Sequence, residues 1–103
     1  MTSVSKVHIE KQKLEKIMEI LKKNGAKKIA IFGSRVRNDW KNDSDIDILV
    51  EFSKKPSLLE IAGIKLEIED NIGEKVDLIT FDGLDDYIKE KVLNSMVVVY
   101  NER

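Results

Sequence analysis

The chain of 103 residues predicts an α/β protein of the α+β kind, a mixed sheet of about four strands flanked by helices, and three observations carry this expectation. Apolar residues recur at helical spacing in separate blocks, and short apolar or β-branched runs bounded by Gly, Asn or Asp lie between them. Helix-length segments join the last three runs, whereas only a short helix and a loop separate the first two, so the sheet is expected to be mixed and not fully parallel.

The elements follow in order. Leu14, Ile17, Met18 and Leu21 fall at i, i+3, i+4 and i+7 within Glu10 to Lys23, one apolar stripe of a helix that Asn24-Gly25 ends. Lys28 to Phe32 is a brief apolar run stopped by Gly33, short enough for a buried strand. Ser34 can cap a short helix through Asn38, and Asp39 to Ser44, rich in Asn and Asp, reads as a loop. A strand from Asp45 to Phe52 follows. After Pro56, Ser57 with Glu60 three residues later forms the capping-box pattern of a helix running to about Ile72 and a Gly73 stop. Its many apolar residues predict burial over a wide face. Val76 to Thr80 is a further strand; Leu84, Tyr87, Ile88 and Val92 repeat at helical spacing; and Met96 to Tyr100 closes the sheet as a β-branched run.

A chain of this length has room for one core, so residues 1–103 are expected to form a single domain without a second lobe. Hydrophobic residues at 42% and charged ones at 36% describe a globular protein with a heavily charged exterior. Eighteen basic against nineteen acidic residues leave a net charge of −1, which supplies no general positive field and disfavours nucleic acid as the main partner. The absence of cysteine excludes disulfides, thiolate nucleophiles and Cys-based zinc sites. No run reaches the ~20 apolar residues of a membrane span, and the start lacks a signal-peptide core, so a cytoplasmic location without membrane contact is expected.

Two short motifs carry chemistry. Asp45 and Asp47 alternate with Ile46 and Ile48 along a strand, so both carboxylates project from one face, about 7 Å apart at their Cα atoms. In a partly desolvated cleft such a pair favours bound cations, and oxygen ligands beside phosphates select Mg²⁺. Taken alone, the pair reads more simply as a turn residue and a solvated strand charge. The second motif is Gly33-Ser34, where a strand gives way to a helix start. Unsatisfied N–H groups there attract anions, the missing Cβ lets a phosphate approach, and the hydroxyl adds a donor. Arg35 and Arg37 follow at once, with guanidinium groups suited to triphosphate oxygens. Asp43 belongs to the loop, His8 has no second ligand nearby in sequence, and Trp40 suits either a stacking role or packing over the core edge.

Together, Gly33-Ser34 and Asp45-x-Asp47, ten residues apart, resemble the signature of the DNA polymerase β-type nucleotidyltransferase superfamily. The form Gly-Ser-Arg-x-Arg followed by Ser-Asp-x-Asp-hydrophobic is similar to its minimal nucleotidyltransferase (MNT) branch, antitoxin partners of HEPN-domain toxins. Asn38 stands where many members carry Gly. The resemblance implies the polymerase β-like fold and Mg²⁺-dependent transfer of a nucleoside monophosphate, AMP from ATP, to a hydroxyl, with a toxin tyrosine as acceptor. It implies Asp45, Asp47 and Asp77 as catalytic and metal-binding carboxylates around two ions, and Gly33, Ser34, Arg35 and Arg37 as the nucleotide-binding set. Asp77 matches the third carboxylate of the family; its apolar neighbours Val76, Leu78 and Ile79 predict a buried strand in which an unpaired carboxylate would be costly. Two alternatives stand beside this one: an antitoxin that neutralises its toxin by contact alone, and transfer to a small molecule as in enzymes that modify aminoglycosides. Exposed apolar residues on the terminal elements leave self-association open.

Overall fold

The computed structural model describes residues 7–33 and 45–102. Helix α1 (Lys11–Lys23) leads into β1 (Ala26–Phe32), followed by β2 (Ile46–Phe52), α2 (Leu58–Ile72), β3 (Val76–Thr80), a 3₁₀ turn at Phe81–Gly83, α3 (Asp86–Ser95) and β4 (Val97–Asn101). The short helix expected after Ser34 and the Asp39 to Ser44 loop lie outside the described residues.

The four strands form one mixed sheet in the order β3-β2-β1-β4. β1 pairs antiparallel with both β2 and β4, while β2 and β3 run parallel through the α2 crossover. Strand alternation divides the sheet into two unequal faces. Ile29, Ile31, Ile46, Ile48 and Val50 enter the larger core with Leu14, Ile17 and Leu21 of α1 and Ile64, Ile68 and Ile72 of α2. Among the described residues the opposite face buries only Ala30, Leu49 and Leu84, with Phe32, Ile79, Phe81, Val92 and Met96 partly covered, and α3 contains no buried residue. One face is therefore sealed by two helices and the other is thinly covered, which leaves polar side chains on it within reach of solvent.

Two expectations about helix faces need correction. On α1, Ile20 is buried in place of Met18, which only packs against the core margin. On α2, burial is narrow: Ile64, Ile68 and Ile72, spaced four apart, take the core contact, whereas Leu58 and Leu59 are more than four-fifths exposed and Leu66 also faces solvent. A helix lying on a flat sheet presents about one stripe, and α1 already occupies the neighbouring ground, so among the described residues nothing covers the outer side of α2.

The ends of α2 follow the expected local chemistry. The Ser57 hydroxyl accepts from the Glu60 N–H at 3.1 Å, the Glu60 carboxylate accepts from the Ser57 N–H at 2.8 Å, and Gly73 at φ 71° supplies the left-handed stop. The Ser57 backbone N–H, helped by the Ser57 hydroxyl, holds the Glu60 carboxyl below its ordinary value. A carboxylate with a lowered folded-state value contributes stability above its unfolded value that disappears as pH falls through the folded one. Removing the hydroxyl with Ser57→Ala is expected to cost about 1 kcal/mol of unfolding free energy in urea titrations at neutral pH. Glu60→Gln should flatten the acid side of the stability profile near and below ordinary carboxylate values, and an unaltered profile would count against the capping box.

Candidate active site

The carboxylate region lies where the C-terminal end of β1 meets the N-terminal ends of β2 and β3. The antiparallel register sets Phe32 opposite Asp47, so Gly33 follows directly beside Asp47. The parallel register sets Asp47 beside Asp77. Register partners on neighbouring strands stand about 4.8 Å apart and share a face, so these two carboxylates leave the sheet together on its thinly covered side. Asp45 is exposed and sits one residue before β2, on the same side of the alternation as Asp47.

Gly33 is fitted to this place in two ways. Its backbone lies at φ 76°, a region that L side chains rarely adopt, and a Cβ built there would collide with the Asp47 carboxylate, whose Cγ would be only 3.1 Å away. The turn that ends β1 thus leaves room for the Asp47 carboxylate only while position 33 carries no side chain. Ser34, Arg35 and Arg37, expected to bind nucleotide with Gly33, lie outside the described residues, as do Asn38, Trp40 and Asp43.

Asp77 differs from expectation in its surroundings. Val76 and Leu78 are buried, but Asp77 is exposed, because β3 is an edge strand and its odd-numbered position 77 projects to the open side. The cost of an unpaired buried carboxylate therefore gives no reason for a ligand at Asp77. What places Asp77 with Asp47 is strand register, which sets two like charges side by side. Two unit charges about 5 Å apart repel by about 3 kcal/mol at an effective dielectric of ~20 and by less than about 1 kcal/mol in water, and exposure of Asp77 sets the value near the lower end.

Among the described residues no three His, Cys, Asp or Glu side chains are grouped tightly enough to enclose a metal ion by themselves. The arrangement is a pair with a third acidic residue at the strand entrance. Such a donor set suits Mg²⁺, which is commonly held by one or two carboxylates plus substrate phosphates and keeps much of its hydration. His8 is only partly exposed and does not complete such a group.

A small cavity of about 90 Å³ lies elsewhere, lined by Val50, Phe52, Lys55, Pro56, Thr80 and Phe81 at the other ends of β2 and β3. At about 30 Å³ per water it holds only a few solvent molecules, too small for a nucleotide. Three contacts around the entrance to β3 carry no local sequence motif: Lys13 bonds Glu74 at 2.6 Å, the Ile46 N–H donates to the Lys75 carbonyl at 3.1 Å, and the Val76 N–H donates to Glu69 Oε2 at 2.9 Å.

The family described as polymerase beta, nucleotidyltransferase, matches residues 15–103 of this chain. MJ0435 of Methanocaldococcus jannaschii, provisionally named a protein adenylyltransferase, is 45% identical over 82% of this chain and 90% of its own. Protein adenylyltransferase MntA of Thermococcus cleftensis is 40% identical over 79% of this chain and 82% of its own. A solved structure of tri-AMPylated Shewanella oneidensis HEPN toxin in complex with MNT antitoxin superposes with a TM-score of 0.72 over 90% of this chain and 73% of that one, at 18% identity, a likeness of fold. No helix of the described residues is long and apolar enough to cross a membrane. With a matching mixed sheet, a glycine turn against Asp47 and the relatives' identity over most of their length, the chain belongs to the polymerase β nucleotidyltransferase family, in its minimal, MntA-type branch, and is a nucleotidyltransferase.

Proposed function

We propose that this chain transfers AMP from ATP to a tyrosine hydroxyl of a HEPN-domain toxin and so acts as the antitoxin. The observation that carries the reading is the shared register of Asp47 and Asp77 beside the glycine turn that clears the Asp47 carboxylate. Support for the acceptor comes from the adenylyltransferase name of the Thermococcus relative and from the AMPylated HEPN toxin in the Shewanella complex.

In this reading Asp45, Asp47 and Asp77 would hold the magnesium ions, two by expectation, while the turn at Gly33-Ser34 receives triphosphate oxygens and Arg35 and Arg37 pair with them. Bound there, magnesium supplies positive charge that lowers the pKa of the attacking hydroxyl and stabilises the leaving pyrophosphate. The acceptor oxygen bonds to the α-phosphorus as the bond between that phosphorus and the bridging oxygen to the β-phosphate breaks. In this reading Asp77, exposed at the sheet edge, is also the group that takes the hydroxyl proton. An exposed edge strand leaves room for a protein side chain to enter, which suits a protein acceptor.

The test is incubation of the chain with a HEPN toxin and α-labelled ATP in magnesium, followed by intact mass measurement of the toxin. Label and a mass increase in whole AMP units are expected with the native chain, and both should vanish with Asp47→Asn. Full neutralisation by that variant without label would overturn the catalytic reading in favour of binding alone.

A further inference from the structure

Three consecutive residues lead into Asp77, and each is held by a different element. Glu74 is held by Lys13 of α1, the Lys75 carbonyl by the Ile46 N–H of β2, and the Val76 N–H by Glu69 of α2. The last of these is the least expected. Glu69 lies in the last turn of α2, where the helix presents its negative end and no basic residue compensates it. A carboxylate there works against the helix dipole. The bond is part-buried and goes to the outward N–H of an edge-strand residue only 2% exposed, so Glu69 supplies the acceptor that neither a neighbouring strand nor open solvent offers. A carboxylate set against the helix dipole to hold this one N–H points to a demand for position at Val76, the residue before Asp77.

We infer that Glu69 is a positioning residue for Asp77: its hydrogen bond to the Val76 N–H fixes the start of β3 in register, so that the Asp77 carboxylate stays beside Asp47. The inference rests on the nucleotidyltransferase reading of Asp77 given above. Glu69 reaches the site only through the β3 backbone and is itself half-buried between α2 and that strand. The Lys75 carbonyl and the Val76 N–H belong to one peptide unit, held by Ile46 of β2 on one side and Glu69 of α2 on the other, so loss of the Glu69 bond would leave the unit directly ahead of Asp77 tied to β2 alone while the rest of β3 stays paired.

The experiment compares Glu69→Ala and Glu69→Gln by amide exchange at Val76 and Asp77, by manganese binding in the presence of a non-hydrolysable ATP analogue, and by transfer kinetics. Glu69→Ala should speed Val76 exchange about tenfold, weaken manganese binding several-fold and lower kcat by about 10- to 100-fold, the range usual for groups that orient metal ligands, with KM for ATP moved less than about twofold. Glu69→Gln keeps an acceptor oxygen and should restore most of these values, which a role of the charge alone would not allow. In an Asp77→Asn background, Glu69→Ala should weaken manganese binding no further, because both changes act through one group. Should Glu69→Ala fail to fold, Glu69→Asp, one methylene too short to reach, carries the same expectations. Unchanged manganese affinity and kcat in a folded variant whose Val76 amide has become exchangeable would overturn the inference while leaving Asp77 in its role. Asp77→Asn with native manganese binding and native transfer would instead remove Asp77 from the site, and the reading and the inference would fall together.

Discussion

Replacing Asp47 with Asn is expected to lower nucleotidyl transfer by about a thousandfold, equivalent to about 4 kcal/mol of transition-state stabilisation, because the amide supplies neither the charge nor the second anionic oxygen that a divalent ion requires. The side chain is isosteric and Asp47 sits at the partly covered start of β2, with Ile46 and Ile48 buried on either side, so the fold should be retained. Asp77→Asn is expected to act in the same direction and carries a second readout. Like charges paired across neighbouring strands destabilise by roughly 0.2–1 kcal/mol, so removing one without metal present should leave thermal stability equal or slightly raised. Activity lost together with a melting temperature that holds or rises is the pattern of residues retained for chemistry at a cost to stability. A melting temperature that falls by several degrees with each substitution would place these carboxylates among the structural contacts of the sheet instead.

Gly33→Ala is the second large effect expected, at about a hundredfold or more in transfer and about 1–2 kcal/mol in stability, the latter from holding an L residue at positive φ. Gly25 separates the two contributions. It too has a positive φ, 91°, but a Cβ there would meet nothing within 4 Å, whereas the Cβ at Gly33 would meet the Asp47 carboxylate. Gly25→Ala should therefore lose comparable stability in denaturant titrations and keep its transfer rate. If both variants lose activity alike, backbone strain and not the clearance of Asp47 accounts for the loss at Gly33.

Local chemistry made much of this fold legible in the sequence. The capping box at Ser57 and Glu60, the Gly73 stop and the strand Val76–Thr80 each depend on residues within a few positions of one another, and each stands where the pattern put it. The alternation that sends Asp47 to one face and Ile46 and Ile48 to the other is equally local, and so is the turn at Gly33. Less legible was whatever depends on partners distant in the chain. The many apolar residues of α2 predict burial over a wide face, yet among the described residues one stripe takes the core contact and Leu58, Leu59 and Leu66 face solvent. Asp77 reads as buried from its neighbours, and its exposure follows from the edge position of β3, which strand order alone decides. Glu69 carries no motif, and its bond to Val76 exists only once α2 has packed against β3.

The central claim is that Asp47 and Asp77 together hold a metal–nucleotide complex. Calorimetric titration of magnesium and a non-hydrolysable ATP analogue into the native chain and into the Asp47→Asn/Asp77→Asn double variant addresses it most directly. Saturable, magnesium-dependent heat from the native chain and none from the double variant is the predicted result; equal magnesium-dependent binding by both proteins would contradict it.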